Sequence, residues 1–171
     1  MIFVDGANLY SCVEQAFGVT RMDFAKVRDE LARGRDLVRM YYYNAPLPEQ
    51  GEMAEKARSQ KKFFAALKFL DSVEVRLGKL VRQDSGEYRQ KGVDVRLALD
   101  VARYALLDRY DVAVVVSGDS DVVEAVMVAK DQGKRVEIAF TRDGCSTELR
   151  EASDCFIELD RPFFERCALQ K

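Results

Sequence analysis

Four aspartates carry the chemistry that this sequence could perform. Asp5 follows an apolar run at residues 1–4, Asp94 opens a helical pattern, and Asp119 and Asp121 follow a second apolar run. Carboxylate oxygens are ligands that Mg²⁺ uses in proteins, together with waters and the phosphates of a substrate. These residue types at these positions therefore point to a divalent-cation site that acts on phosphate groups.

Each aspartate also has a purely structural interpretation. Asp5 fits an Asx-turn, and Asp94 and Asp119 fit helix N-caps. Asp121 with Glu124 has the spacing of a capping box. Capping explains any one of these acids about as well as a ligand role does. Capping is a weaker explanation for four acids at one edge of the same fold. The arrangement of the elements therefore decides between the two interpretations.

The absence of histidine narrows the chemistry further. None of the 171 residues is a histidine, which excludes Ser-His-Asp and Cys-His catalysis and any imidazole acid or base. The four cysteines form no C-x-x-C pair, so we expect reduced, mostly buried thiols rather than a zinc site; they are Cys12, Cys145, Cys155 and Cys167. Catalysis would have to come from carboxylates, lysine, tyrosine or a metal with oxygen ligands.

The elements that must position the acids form an alternating pattern. The apolar runs at 1–4 and 111–117 lack polar alternation, which is typical of parallel strands buried on both faces. Further strands are predicted at 37–43, 73–80, 135–140 and 155–159, and helices at 7–17, 24–31, 49–70, 93–107, 122–131 and 161–167. The polar stretch 83–92 is predicted to be an exposed loop. One α/β domain with a parallel sheet and right-handed crossovers follows.

A parallel sheet places every strand-to-helix turn at its carboxyl edge. If the strand of Asp5 neighbours the strand that ends at Ser117, the four aspartates converge within a few ångströms. Like charges that close disfavour one another, and a divalent cation relieves the repulsion. Asp100 lies about 240° round the helix from Asp94, so we expect it to support the site from behind or to be solvated.

Polar and aromatic side chains near the acids are candidates for substrate contact. Asn8 either binds substrate or holds Asp5, and Ser117 borders the site. The candidate phosphate contacts are Lys56, Arg58, Lys61, Lys62, Arg89 and Lys91, and the candidate base-stacking residues are Tyr10 and Tyr41–Tyr43. Solvated lysines and core tyrosines are the alternatives. The net charge of −2 does not by itself indicate a nucleic-acid binder.

Four segments in order resemble a known family. Val4-Asp-Gly-Ala-Asn8, Tyr41-Tyr-Tyr-Asn-Ala-Pro46, Lys91-Gly-Val-Asp-Val95 with Asp100, and Val116-Ser-Gly-Asp-Ser-Asp121 resemble the NYN domain (LabA-like branch) of the PIN-like nuclease superfamily. The resemblance implies a three-layer Rossmann-like fold with a mostly parallel sheet in order 3-2-1-4-5 and a short extra strand near the C-terminus. It places an NYN domain at residues 1–160 and a short C-terminal extension at 161–171.

The same resemblance implies a magnesium- or manganese-dependent ribonuclease site. Asp5, Asp94, Asp119 and Asp121 would bind the metal and act in catalysis, and Asn8 and Ser117 would line the site. The segments Cys145-Ser-Thr-Glu-Leu149 and Ala152-Ser-Asp-Cys-Phe156 resemble the end of the family pattern, which would bring Asp154 towards the site.

The leading expectation is a metal-dependent (endo)ribonuclease that hydrolyses single-stranded RNA with a metal-activated water. A non-catalytic RNA- or nucleotide-binding module of the same fold is the alternative. A third class, other phosphoryl-transfer enzymes, fits less well, because Ala7 stands where a haloacid-dehalogenase site needs an aspartate and Asp5 stands where topoisomerase-primase domains need a glutamate. No P-loop or dinucleotide fingerprint occurs. We expect a cytoplasmic protein without leader or membrane span, and a homodimer as a further option.

Overall fold

The computed structural model describes residues 1–18, 21–82 and 88–169, apart from the side chains of Glu52 and Arg89. Within these residues the strands are β1 (Ile2–Asp5), β2 (Met40–Asn44), β3 (Val73–Leu77), β4 (Lys79–Arg82), β5 (Tyr88–Lys91), β6 (Val112–Val116), β7 (Arg135–Phe140) and β8 (Cys155–Glu158). The helices are α1 (Gly6–Phe17), α2 (Phe24–Ala32), α3 (Ala54–Leu67), α4 (Val93–Leu106), α5 (Val123–Asp131), α6 (Thr147–Ala152) and α7 (Arg161–Arg166). Single 3₁₀ turns at Gly51–Met53 and Ser120–Val122 precede α3 and α5.

Six strands form one sheet in the order β3-β2-β1-β6-β7-β8, and every pairing is parallel. The α/β class is confirmed. If only the strands of the main sheet are numbered along the chain, β6, β7 and β8 become strands 4, 5 and 6, and the order is 3-2-1-4-5-6. This order contains the predicted 3-2-1-4-5 arrangement, and β8 is the short extra strand at the edge. It differs in detail because β4 and β5 form a separate antiparallel pair. Val4 lies opposite Val116 across β1 and β6, so the strands that end at Asp5 and Ser117 are neighbours.

Helices cover both faces of the sheet. On one face Tyr42 packs edge-on against Phe24 of α2 and Phe63 of α3. On the other face Phe3 stacks on Tyr104 of α4, and α5 and α6 continue this layer beside α4. Burial on both faces explains why the strand residues read as unbroken apolar runs. Tyr41–Tyr43 are core residues and not surface stacking residues.

The chain departs from the predicted elements after β3. The strand predicted at 73–80 is two strands, because the backbone turns away from the sheet at Gly78. A side chain at Gly78 would lie 2.7 Å from Val93 Cγ2, so this turn needs glycine. Residues 88–91 of the predicted loop form β5, and the rest of that loop, 83–87, lies outside the described residues. The short helix α6, which Ser146 caps, was not predicted.

The expectation of mostly buried cysteines holds for two of the four. All four are free, Cys145 and Cys167 are buried, and Cys12 and Cys155 are half-buried. Phe163 and Phe164 of the C-terminal segment are buried within the chain, and the Phe164 ring lies 5.1 Å from that of Phe17. In the part of the chain that the structure covers, every helix is too short or too polar to cross a bilayer.

Candidate cation site at the carboxyl edge of the sheet

Asp5 lies at the carboxyl end of β1 and begins α1. Its Oδ1 accepts hydrogen bonds from the backbone N–H of Ala7 (3.1 Å) and Asn8 (3.0 Å), so the capping interpretation is correct. Both bonds end on Oδ1, and neither uses Oδ2. Gly6 permits this tight turn, because a Cβ there would lie 2.1 Å from the ring of Tyr42. Asp5 is only 5% exposed and is therefore a buried carboxylate with one oxygen committed to its helix.

Asn8 connects the turn after β1 to the turn after β6. Its Oδ1 accepts a hydrogen bond from the backbone N–H of Gly118 at 2.9 Å. Ser117 is buried, and its Oγ accepts from the backbone N–H of Asp119 at 3.2 Å. Gly118 is needed because a Cβ would lie 2.1 Å from the carbonyl oxygen of Gly144. The Asn8 bond fixes the two acidic turns relative to each other, and the Ser117 bond fixes the backbone of the second turn.

Asp119 and Asp121 lie at the start of the 3₁₀ turn before α5. Asp119 Oδ1 accepts a hydrogen bond from the backbone N–H of Asp121 at 3.0 Å and so caps the turn. The predicted capping box of Asp121 with Glu124 is wrong, because α5 begins after Val122 without a side-chain cap. Asp121 is exposed in the first turn.

Asp94 lies in the first turn of α4. The N-cap of α4 is Gly92, whose φ of 79° is left-handed, so Asp94 is not the cap. The pKa of Asp5 is raised to about 6, mainly by burial and also by the charges of Asp94 and Asp119, although the hydrogen bonds from Asn8 and Ala7 lower it. The three carboxylates are therefore close enough to interact electrostatically.

The expected convergence of all four acids within a few ångströms is not observed. Among the described residues, no three or more Asp, Glu, Cys or His side chains stand close enough to form a finished metal cage. The physical reason is that Asp5 and Asp119 direct their Oδ1 atoms into helix starts, whereas Asp94 and Asp121 are exposed. The donor set still fits a hydrated Mg²⁺ or Mn²⁺, which needs one or two direct carboxylates and keeps several waters.

Asp100 is buried and lies in a polar network that the sequence did not reveal. It accepts hydrogen bonds from Tyr43 Oη at 2.9 Å and from Arg76 Nη1. Arg76 also donates to Tyr104 Oη at 2.8 Å and lies 4.0 Å from the ring centroid of Tyr41. Of the two alternatives expected for Asp100, solvation is therefore wrong. The network joins the middle of α4 to β2 and β3 and so fixes the helix that carries Asp94.

The predicted substrate-contact residues fall into two groups around the edge. Lys61 and Lys62 are exposed on α3, and Lys61 Nζ pairs with Glu49 Oε1 at 2.7 Å. Lys91 is exposed in β5, three residues before Asp94. Arg89 also belongs to β5, where its backbone pairs with Val81. The structure places all four on elements that border the carboxyl edge, but it does not bring them into contact with the acids.

The hairpin β4–β5 beside the acids is an element that the sequence does not predict. It leaves the carboxyl end of β3 and returns to the start of α4, so it stands at the edge that holds the acids. Its exposed side chains include Lys79, Arg82, Tyr88 and Lys91. The signal in the sequence was the basic alternation around 79–91, but Gly86 and Gly92 and the polar residues favoured a loop.

Asp154 does not approach the site, contrary to the expectation from the resemblance. It accepts a hydrogen bond from the backbone N–H of Val136 at 2.7 Å and pairs with Lys130 at 3.3 Å. Val136 lies at the beginning of β7, so Asp154 is at the amino edge of the sheet. Hydrogen bonding to Val136 and Lys130 lowers its pKa, which indicates a structural carboxylate.

The fold is a Rossmann-like α/β domain with an acidic carboxyl edge. A family model described as the NYN domain matches residues 1–160, and the chain belongs to the NYN domain family. Nucleases of the NYN/PIN-like group generally use divalent metals.

The proteins that are similar to the chain include one relative by sequence and one solved structure. The uncharacterized protein y4oD of Sinorhizobium fredii is 31% identical over 104 residues, which cover 59% of the chain and 47% of that protein. The chain thus spans about half the length of this relative. The crystal structure of a protein of unknown function from Vibrio parahaemolyticus superimposes with a TM-score of 0.76 at 22% identity, covering 98% of the chain and 94% of that protein. This second similarity concerns the fold alone.

Proposed function

We propose that the protein is a metal-dependent ribonuclease that hydrolyses phosphodiester bonds of single-stranded RNA, and that it belongs to the LabA-like branch of its family. The observation that carries the proposal is the buried Asp5 carboxylate, whose pKa is raised by burial and by the charges of Asp94 and Asp119. A buried carboxylate beside like charges costs free energy unless a cation compensates the charge. Their location at the carboxyl edge, where open α/β sheets bind ligands, supports a functional role.

In this proposal Asp5, Asp94, Asp119 and Asp121 hold Mg²⁺ or Mn²⁺. The bound cation would supply an acidified water and positive charge for the reacting phosphate. The chain itself contributes fixed geometry: Asn8 ties the two acidic turns together, and Ser117 holds the backbone of the second turn. Since the sequence has no histidine, this proposal assigns the proton transfers to these carboxylates and to water.

The RNA path in the proposal runs over the basic elements that border the acids. Lys79, Arg82 and Lys91 of the hairpin would contact phosphates, and Lys61 and Lys62 of α3 would extend the path. Exposed aromatic side chains on the same edge supply stacking surfaces; they are Tyr10, 44% exposed, and Tyr88, 42% exposed.

The experiment is incubation of the purified protein with labelled single-stranded RNA or DNA, with Mn²⁺ or with chelator. We expect RNA cleavage with Mn²⁺ and none with chelator. Asp94→Asn should abolish cleavage without unfolding, because it removes charge and keeps shape. Asp36→Asn, at an exposed acid near the amino edge, is the matched control and should cleave normally. Asp94→Asn with wild-type activity would contradict the assignment.

A non-catalytic RNA- or nucleotide-binding module is the second candidate. The absence of a finished metal cage among the described residues favours it. Retained RNA binding without cleavage in either Mg²⁺ or Mn²⁺ would support this alternative over hydrolysis.

A further inference from the structure

The outer side of α4 carries an apolar stripe that the fold leaves exposed. Val95 is 63%, Leu99 62% and Leu106 60% exposed. These residues, with half-buried Ala102 between them, stand at i, i+4, i+7 and i+11 and so share one face of the helix. This spacing is that of a helix-pairing seam, whereas a solvated helix face is normally polar.

Helix α5 forms one border of this stripe. Helices α4 and α5 pack side by side. Ala105 is buried and Ala98 is half-buried, so these two residues mark the side of α4 that α5 covers. The exposed ridge of α5 consists of Glu124, Met127 and Asp131, and Met127 is 42% exposed. This border is therefore acidic, with one further apolar side chain.

The opposite border of the stripe is basic. Arg96 and Arg103 are exposed on the side of α4 away from α5. Arg96 Nη1 donates to the carbonyl oxygen of Leu77 at 3.0 Å, which places this border towards β3. We call the whole the α4–α5 surface: Arg96 and Arg103, then Val95, Leu99 and Leu106, then Glu124, Met127 and Asp131.

We propose that the α4–α5 surface binds a second copy of this chain, with the two α4 helices packed in parallel across a two-fold axis along the helices. Such an axis reverses the left-to-right order of the borders, so the basic border of one copy meets the acidic border of the other. An antiparallel pair would place arginines against arginines. Only the parallel arrangement is electrostatically complementary.

The spacing of the charges agrees with this arrangement. Arg96 and Arg103 are seven residues apart, as are Glu124 and Asp131, which is about 10.5 Å along a helix. Both helices precede parallel strands on the same face of the sheet and therefore run in the same direction. Arg96 of one copy then meets Glu124 of the other, and Arg103 meets Asp131. Both acidic edges of the dimer open on the same side.

Sedimentation velocity over a concentration series tests the proposal. We expect a monomer–dimer equilibrium with a Kd of about 100 µM or tighter. Leu99→Glu should weaken dimerisation about tenfold or more, because it places charges at the centre of the seam. Phe69→Glu is the matched control, since Phe69 is 90% exposed away from this surface, and it should leave the equilibrium unchanged. A wild-type monomer at all concentrations would overturn the proposal and leave the surface to another segment or partner.

Charge reversal tests the direction of the helices. Arg103→Glu and Asp131→Arg should each weaken the dimer several-fold, and the double variant should restore it, because both copies then carry the exchanged pair. Strengthening by Arg103→Glu alone would indicate the antiparallel arrangement and overturn the parallel one. Circular dichroism of each variant separates loss of contact from loss of fold.

Discussion

At the scale of single residues, Asp5 is both a helix cap and a buried carboxylate beside like charges. Its carboxylate begins α1 through the N–H groups of Ala7 and Asn8, and it is buried beside the charges of Asp94 and Asp119. The neighbouring charges disfavour the ionised form of Asp5, and capping alone does not require them. Functional sites commonly keep such unfavourable charges because a ligand uses them.

The raised pKa of Asp5 predicts how stability depends on pH. The folded value is about 6, whereas the unfolded value is about 4. The folded state therefore binds more protons between these values, and the free energy of unfolding contributed by Asp5 falls as pH rises from about 4 to about 6. In chelator, Asp5→Asn should be more stable than wild type by about 1–3 kcal/mol at pH 8.

Urea unfolding of both proteins in chelator measures this difference. The asparagine side chain can accept the same two capping bonds, so the comparison isolates the charge. The advantage of Asp5→Asn should vanish below about pH 4, where Asp5 is protonated in both states. A variant that is less stable than wild type at pH 8 would show that the charge is already compensated.

Cation binding should depend on pH for the same reason. The ionised form of Asp5 is the ligand, so protons and metal compete for it. Mn²⁺ should raise the Tm of the wild type more at pH 8 than at pH 5. Differential scanning fluorimetry measures both shifts, and equal shifts at the two pH values would exclude Asp5 as a ligand.

Residue patterns predicted the acids of the site but not the side chains that hold them. Asp5, Asp119 and Asp121 were found because each follows an apolar run. Arg76 gave no signal, because an arginine in an alternating edge strand reads as a solvent-facing position. Its burial against Tyr41 depends on α4 crossing the sheet, which local sequence does not encode.

At the scale of elements, the network of Asp100, Tyr43 and Arg76 anchors α4 to the sheet. Asp100 and Arg76 are both largely buried, so removal of one charge leaves the other poorly compensated. Asp100→Asn should lower the free energy of unfolding by about 2 kcal/mol. Asp36→Asn, at an exposed acid near the amino edge, should change it little, and urea unfolding compares the two. The reverse order would contradict the anchoring role of Asp100.

The hairpin β4–β5 is the element whose role in RNA binding is most directly testable. Loss of one base-stacking ring costs about 1–3 kcal/mol, so Tyr88→Ala should raise the Kd for single-stranded RNA about tenfold. Tyr88→Phe keeps the ring and should bind as wild type does. Fluorescence anisotropy in chelator, where no cleavage is expected, measures the Kd. Equal affinities of all three proteins would remove the hairpin from the RNA path.

Element boundaries were predictable where one periodicity dominated. The strand predicted at 135–140 is β7 without change, because its apolar residues are buried on both faces. The pattern failed at 73–80, where alternation continues through Gly78 although the chain leaves the sheet. That turn follows from contact between Gly78 and Val93, which lie far apart in sequence.

At the scale of the whole molecule, the sheet order determines where the acids meet. From β1 the chain continues to β2 on one side, and β6 lies on the other side. The connections leave this point in opposite directions, which opens a crevice at the carboxyl ends of the two strands. Asp5 and the Asp119 turn occupy the two walls of that crevice. The alternation of strands and helices predicted this edge, but the neighbour relation of β1 and β6 came from the family resemblance and is confirmed by the pairing of Val4 with Val116.

The central claim is that this crevice binds a divalent cation. Anomalous diffraction from crystals soaked in Mn²⁺ tests it independently of any activity. We predict an anomalous peak between Asp5 and the turns that carry Asp94, Asp119 and Asp121, and its loss in Asp5→Asn crystals. A structure soaked in excess Mn²⁺ with no peak at this edge, or with a peak that Asp5→Asn leaves unchanged, would contradict the account.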